Sequence, residues 1–247
     1  MIVIPMAGMS SRFFKAGYDK PKYMLMAHGK TLFDHAVESF SLYFKSEHFL
    51  FIVRNVYDTP AFVEQQANTL GISNFDIVIL NDETRGQAET VTLGLEKWKA
   101  SQQSSKDQTL TIFNIDTFRP NFEFPDLNTL GDGYLEVFRG KGDNWSFAKP
   151  ISDDSTEVVQ TAEKNPISDL CCTGLYHFHS LEQYLEAYYH YLTKPQEQWE
   201  KGELYVAPLY NELIQASRKI HYHLIPREEV IFCGVPSEYS DFLKHDA

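Results

Sequence analysis

Arg12 and Lys22 lie in one polar stretch, Ala7 to Lys22, directly after the apolar run Ile2-Val3-Ile4 that ends in Pro5. Within it, Ala7-Gly8-Met9-Ser10-Ser11-Arg12 is a small-residue loop, and Lys20-Pro21-Lys22 adds a further cationic group. Gly8 lets backbone approach a ligand closely, and successive N–H groups of such a loop can form an anion nest. A guanidinium and an ammonium on the same loop would offer a polyphosphate both charge and oriented donors. A surface loop with solvated charges is the bland alternative. The order of strand, small loop, Arg and Pro-Lys favours the anion site.

Two other segments carry usable chemistry. Asn81-Asp82-Glu83-Thr84-Arg85-Gly86-Gln87-Ala88-Glu89-Thr90 contains the small residues Gly86 and Ala88, against which a planar base could lie. Asn81 and Gln87 could read the edge of that base by hydrogen bonds; an ordinary loop and helix cap is the alternative. Asn114-Ile115-Asp116-Thr117 places a carboxylate at the end of an apolar run. Mg²⁺ takes one or two carboxylates together with phosphate oxygens and water. An Asx-turn or a cap is the alternative role for Asp116.

The elements that must position these residues alternate. Ile2 to Ile4, Phe49 to Val53, Phe75 to Leu80 and Thr109 to Ile115 read as buried strands, and ligands of parallel sheets bind outside the carboxyl ends of such strands. Between them lie helices over Thr31 to Phe44, Asp58 to Leu70 with Gly71 as its stop, and Thr90 to Ala100. Thr31 and Asp34 can cap the first of these. The alternation predicts a parallel sheet with right-handed crossovers. Further on, strands are expected over Tyr134 to Arg139, Ser146 to Lys149, Glu157 to Glu163, Cys172 to Phe178, Lys219 to Ile225 and Glu229 to Phe232. Helices are expected over Leu181 to Leu192 and Val206 to Ser217, and a surface loop over Ala100 to Gln108.

The run IPMAGMSSRFFKAGYDKPKYMLMAHGKTLFDH resembles the N-terminal signature of the sugar nucleotidyltransferase family, the pyrophosphorylases that make nucleotide-diphosphate sugars and related activated metabolites. Met9, Ser10 and Ser11 stand where some members carry glycines. The resemblance spans nearly the whole chain and is strongest in residues 1–30 and 160–178. It implies an α/β fold, a mixed and mostly parallel sheet flanked by helices. It further implies one nucleotidyltransferase domain over 1–247, with a nucleotide-binding half in 1–120 and an acceptor-binding half in 121–247. Met6, Ala7, Gly8, Ser10, Ser11, Asn81, Gly86, Gln87 and Ala88 would bind the nucleoside triphosphate. Arg12 and Lys22 would be catalytic, and Asp116 would hold Mg²⁺.

Thr161-Ala162-Glu163-Lys164-Asn165-Pro166 and Thr173-Gly174-Leu175-Tyr176 resemble the family's Glu-Lys-Pro segment and the Gly-x-Tyr strand after it, with Asn165 inserted before the proline. By that resemblance Lys164 contacts the phosphate of a phosphorylated acceptor, and Glu163 its organic part. Gly174 lines the same site, and Lys149 is a further phosphate ligand. Gly202 to Asn211 looks like the family's segment before its late helix, and Cys233-Gly234-Val235-Pro236 like its Gly-Thr-Pro turn. Many sugar pyrophosphorylases carry a metal-binding Asp just before that turn; here the position is Phe232 or Cys233. Glu203 is one substitute reading; phosphates and water completing the metal shell is the other. The start of the chain and the Arg-Gly-Gln-Ala-Glu-Thr segment look most like bacterial capsule-locus members, several of which use CTP. That favours CTP, with UTP or dTTP next, and a role in surface polysaccharide synthesis.

Composition narrows the alternatives. A chain of 247 residues with 43% hydrophobic and 23% charged residues can bury a proper core. A net charge of −12 disfavours sequence-independent nucleic-acid binding. No apolar run approaches the ~20 residues of a membrane helix, and MIVIPMAG lacks the basic residues of a signal peptide, so neither membrane insertion nor export is expected. The cysteines Cys171, Cys172 and Cys233 form no CxxC and read as buried thiols of a cytoplasmic protein. Gly29-Lys30-Thr31 imitates the end of a P-loop, but the required earlier glycine falls at Met24. His177 with His179, and His221 with His223, suggest no third metal ligand. The aromatic helix Leu181 to Tyr191 is expected to serve packing or a subunit contact, and association with further copies of the chain is left open. The rival functions are a nucleotide-sugar-dependent glycosyltransferase, although Asp116-Thr117-Phe118 lacks the second Asp of an Asp-x-Asp metal site, and a non-catalytic nucleotide-binding module.

Overall fold

A computed structural model describes residues 1–101 and 107–244. In chain order its strands are β1 (Ile2–Pro5), β2 (Met26–Ala27), β3 (Lys30–Thr31), β4 (Phe49–Arg54), β5 (Phe75–Leu80), β6 (Leu110–Phe113) and β7 (Thr117–Phe118). They continue with β8 (Gly133–Arg139), β9 (Ser146–Pro150), β10 (Val158–Glu163), β11 (Leu170–Phe178), β12 (Ile220–Leu224) and β13 (Ile231–Phe232). The α-helices are α1 (Ser11–Lys15), α2 (Leu32–Glu38), α3 (Thr59–Leu70), α4 (Gln87–Ser101), α5 (Leu181–Leu192), α6 (Leu209–Gln215) and α7 (Pro236–Phe242). The expected fold class holds: an α/β protein with a mixed, mostly parallel sheet flanked by helices. The expected loop Ala100 to Gln108 lies mostly outside the described residues.

The chain forms two compact units. The first comprises Ile2–Glu83, Phe113–Glu123 and Glu228–Ala247. Here β1, β4 and β5 run parallel, with Pro5 level with Ile52 and Arg54 level with Leu80. β4 is buried from Phe49 to Val53, as a strand covered on both faces requires. Phenylalanines fill this core. Phe33 packs on Phe51 and Phe62 at 5.5 and 5.6 Å, and Phe40 on Phe113 and Phe122, both at 4.9 Å. Each such pair adds about 0.5–1.5 kcal/mol beyond the area it buries. Helix α2 starts with a capping box. The Thr31 hydroxyl accepts from the Asp34 N–H at 3.1 Å, and the Asp34 carboxylate accepts from the Thr31 N–H at 3.0 Å. The helix ends earlier than the predicted Phe44. Ser39 N–H already bonds back three residues to Ala36, and the Ser39 hydroxyl accepts from Arg119 N–H, so the chain continues as a 3₁₀ turn over Ser41–Tyr43.

The second unit comprises Met1, Thr84–Ile112 and Phe124–Arg227. Its strand order is β10-β9-β11-β6, with β8 bonded to β11 and β12. Strand β11 is buried along its full length. It bulges between Cys172 and Tyr176, where Gly174 takes a φ of +96°, a conformation glycine adopts without penalty. Helix α5 has the predicted bounds, capped by the Ser180 hydroxyl accepting from Gln183 N–H, and it buries Tyr184, Tyr188 and Tyr191. Tyr210 of α6 stacks on Phe178 at 4.4 Å, and its hydroxyl donates to the carbonyls of Tyr134 and His177. All three cysteines are buried free thiols. No helix among the described residues is long and apolar enough to cross a membrane.

Candidate active site

The first unit gathers the anion-loop residues. Beyond β1, Ser10 takes a left-handed backbone, φ 49°, and its carbonyl accepts from Phe13 N–H at the start of α1. The Ser10 hydroxyl accepts from Lys22 N–H at 3.2 Å, which ties the loop to the Pro-Lys segment twelve residues on. Nothing lies within 4 Å of the position a Cβ on Gly8 would occupy, so the loop is open on that side.

Lys22 Nζ donates to Asp116 Oδ2 at 2.5 Å, with side chains 19% and 22% exposed. Asp116 is not at the end of a strand, as expected. β6 stops at Phe113, because Thr117 N–H bonds to the Asn114 carbonyl in a turn, and Asp116 belongs to that turn. The turn is anchored. β7 pairs with β13, with Phe232 level with Thr117, and Cys233 N–H donates to the Asp116 carbonyl at 2.8 Å. Arg119, almost fully buried, donates to the Glu229 carbonyl. Glu238 of α7 accepts from the N–H groups of Gly234 and Val235. A Cβ on Gly234 would stand 3.0 Å from Asp116 Oδ2. Burial pushes the Asp116 carboxyl up, yet the charge and hydrogen bond of Lys22, joined by the charge of Arg12, outweigh it and hold it below its ordinary value. Arg12, on α1, is exposed.

The donor set fits a hard cation of the Mg²⁺ kind. One carboxylate, Asp116, faces the cationic loop, and the register-matched Cys233 is a soft donor whose thiol burial pushes up to about 12. No group of three His, Cys, Asp or Glu among the described residues could hold a metal unaided. A single carboxylate completed by phosphate oxygens and water matches the habit of Mg²⁺. Asn81, in the loop after β5, is exposed.

In the second unit, Gly86 and Ala88 are held by the backbone of Leu204. Leu204 N–H donates to the Arg85 carbonyl, and Ala88 N–H to the Leu204 carbonyl. A Cβ on Gly86 would meet Leu204 backbone atoms at 2.5–2.7 Å, so only glycine fits this chain crossing. Ala88 is fully buried and Gln87 partly so. Arg85 pairs with the nearly buried Glu89 and lies over the Trp199 ring at 5.2 Å, which fixes the loop from its outer side.

Glu163 and Lys164 form the other cluster of this unit. Glu163 is level with Ser146 across β9 and β10, and its carboxylate accepts from the Ser146 hydroxyl, which lies 3.2 Å from Tyr176 OH. Glu163 N–H donates to the Glu200 carboxylate. Burial raises the Glu163 carboxyl above its ordinary value, against the pull of Ser146 and Lys164. Lys164 takes a left-handed backbone, φ 51°, unusual for a long side chain. Its ammonium donates to Tyr205 OH at 2.5 Å and lies over the Tyr205 ring at 4.5 Å. Gly174 is in the bulge of β11. Lys149 is exposed and two or more strand positions from this group. Strand alternation puts it on the face of β9 opposite Ser146, so the structure does not bring it to Glu163 and Lys164. Glu203 is exposed, and its charge acts on Lys164, Tyr205 and Glu163. Ser146, Tyr176 and Tyr205 were not singled out from the sequence as site residues. An open depression of about 490 Å³ between Gly140–Asp143 and Ser168–Asp169 includes none of Lys149, Glu163, Lys164 or Gly174.

A parallel α/β sheet with a cationic loop after its first strand, and an acidic turn tied to that loop, is the framework of the nucleotide-diphospho-sugar transferases. A nucleoside-diphosphate-sugar pyrophosphorylase from Vibrio cholerae RC9 is similar over 99% of this chain and 100% of its own, at 68% identity and a TM-score of 0.95. This chain belongs to the nucleoside-diphosphate-sugar pyrophosphorylases, a family of nucleotidyltransferase enzymes. An inositol-1-phosphate CTP transferase from T. maritima shares the fold at 14% identity, covering 100% of this chain and 97% of its own, with a TM-score of 0.72. So does a UDP-glucose pyrophosphorylase solved with UDP-glucose, at 15% identity, 98% and 96% coverage and a TM-score of 0.72. No protein-family model matches the chain, and a search of curated proteins found no match.

Proposed function

We propose that this enzyme joins a nucleoside triphosphate, CTP in preference to UTP or dTTP, to a sugar phosphate or another phosphorylated metabolite, with release of pyrophosphate. The work is cytoplasmic and serves surface polysaccharide synthesis. The observation that carries the reading is the Lys22–Asp116 pair at 2.5 Å, tied through Ser10 to the open loop after β1. The sugar phosphate is supported by the V. cholerae relative, a nucleoside-diphosphate-sugar pyrophosphorylase. CTP and the polysaccharide role are supported by the resemblance of residues 4–8 and 85–90 to capsule-locus enzymes.

An acceptor phosphate oxygen attacks the α-phosphorus, the bond to the β-phosphate oxygen breaks, and pyrophosphate leaves in line. The phosphate nucleophile is already anionic near neutral pH, so no general base is needed, and positioning and charge stabilisation supply the rate. An ammonium has three donors. Lys22 gives one to Asp116 and turns the others to the α-phosphate and the departing pyrophosphate. Arg12, on the same loop, neutralises the pyrophosphate. The backbone of Met6, Ala7, Gly8, Ser10 and Ser11 cradles the phosphates, while Asn81, Gly86 and Gln87 face the base; Ala88, fully buried, backs that turn and does not reach the base itself. Lys164, steadied by Tyr205, holds the acceptor phosphate. Glu163 accepts hydrogen bonds from the acceptor's organic part beside Gly174. Asp116 would hold Mg²⁺, which supplies charge neutralisation on the phosphates.

The test is a pyrophosphate-release screen of four triphosphates with Mg²⁺ against a library of sugar and non-sugar phosphates. Release that needs both a triphosphate and a phosphorylated acceptor is expected. Triphosphate binding with no release across the library would leave a nucleotide-binding module instead.

A further inference from the structure

Arg54 ends β4, in a position that no part of the proposed machinery uses. Its side chain is only 15% exposed, yet its partners within the fold are poor. Nη1 reaches the thioether of Met9 at 2.6 Å and the Glu83 carboxylate at 3.4 Å. Nε is buried with no acceptor. A thioether is a weak acceptor, and Glu83 is 70% exposed and at the edge of hydrogen-bond range. A guanidinium carries five donors, and drawing it out of water for so little return costs stability. Such a cost is understandable where the missing partner belongs to a ligand.

The strand registers place this group. Met6 N–H donates to the Ile52 carbonyl, so β1 hands over to the phosphate loop beside Ile52, two residues before Arg54. Arg54 is level with Leu80, the last residue before Asn81-Asp82-Glu83. The side chain therefore connects Met9, in the phosphate loop, with Glu83, in the loop assigned to the base. Glu83 sets an acceptor beside the guanidinium donors, which matches a neutral group that offers acceptors and a donor side by side.

We infer that Arg54 and Glu83 together read the base of the triphosphate and select cytosine; this rests on the nucleotidyltransferase reading above. The cytosine pairing edge presents two acceptors, O2 and N3, beside the N4 amino donor. The terminal nitrogens of a guanidinium match the acceptors, and a carboxylate accepts from N4. Uracil and thymine present an N–H at position 3 and a carbonyl at position 4. The first faces a donor and the second faces the carboxylate, so two of the three contacts become repulsive. Discrimination then comes from rejection as much as from attraction.

The test is calorimetric titration of the full chain with CTP, UTP and dTTP in Mg²⁺, with no acceptor present. Wild type binds CTP at least about tenfold more tightly than UTP or dTTP, as loss of one paired base contact requires. Arg54→Ala and Glu83→Ala each bring the ratio to within about threefold, mainly by weakening CTP. Glu83→Ala, on an exposed loop, keeps the test valid if Arg54→Ala fails to fold. Equal binding of CTP and UTP by wild type overturns the inference and leaves the nucleotidyltransferase reading standing, as does an unchanged ratio in the variants. Failure of wild type to bind any triphosphate overturns both.

Discussion

The Lys22–Asp116 pair and the Glu163–Lys164 cluster both join a carboxylate to a lysine, but the two are built on opposite principles. In the first, ammonium and carboxylate meet directly at 2.5 Å, and the carboxyl is held below its ordinary value. In the second, the two side chains stand 3.8 Å apart. Ser146 holds the carboxylate, Tyr205 holds the ammonium, and burial raises the carboxyl. The first arrangement favours the charged form of the carboxylate beside an ammonium, as suits a site that handles charge. The second presents hydrogen-bonding oxygens and a steadied cation, as suits an acceptor that is part phosphate and part neutral body.

If that contrast is right, the largest effect comes from the charge pair. Lys22→Ala should lower the rate of pyrophosphate release by about 10²–10³, the usual loss of a charge-stabilising donor. Turnover like wild type would break the comparison at its stronger end. Tyr205→Phe should act on the acceptor alone. Loss of one hydrogen bond to a charged group costs about 1.5–3 kcal/mol, so KM for the acceptor should rise at least about tenfold while KM for the triphosphate holds. Equal changes in both constants would show that Tyr205 does not steady Lys164. Gly234→Ala crowds Asp116 Oδ2, with a Cβ at 3.0 Å, and should reduce turnover several-fold without unfolding the chain. Melting temperature followed across pH would detect no change if Asp116 simply moves aside.

The smallest effect sharpens the comparison through pH. A lowered carboxyl such as Asp116 contributes stability above its unfolded value, lost as pH falls through the folded one. A raised carboxyl such as Glu163 has the opposite sign: the folded state keeps its proton longer, and stability falls as pH rises from the unfolded value through the raised folded one. Glu163→Gln should therefore gain melting temperature relative to wild type between acid and neutral pH. Asp116→Asn should lose it. The same sign in both variants would dissolve the distinction.

Much of this was legible from residue order. The alternation of apolar runs with helical spacing gave the parallel strands, and Phe75 to Leu80 and Leu181 to Leu192 have the predicted bounds. Helices α1 and α7 were missed, because five or seven residues that bury one side chain each, Phe13 and Tyr239, carry no readable period. The predicted helix from Val206 starts later, at Leu209 after Pro208, because Ala207 is engaged by Thr161. Lys22 and Asp116 are 94 residues apart, and their meeting depends on a turn and a strand pair that local pattern does not encode. Tyr205 and Ser146 were invisible for the same reason. Only the register of β9 with β10, and the docking of Asn211 on Thr161, put them beside Glu163 and Lys164.

Leu204 and Tyr205 are consecutive residues with different duties. Through its backbone the former grips the turn that opens α4, so tightly that Gly86 has no room for a methyl group. Through its ring and hydroxyl the latter grips Lys164. Two remote stretches of chain thus share one hinge pin a single peptide bond long. A displacement at either is transmitted to the other through that one bond, and because Leu204 and Val206 are themselves buried, insertions between residues 203 and 206 should be tolerated poorly.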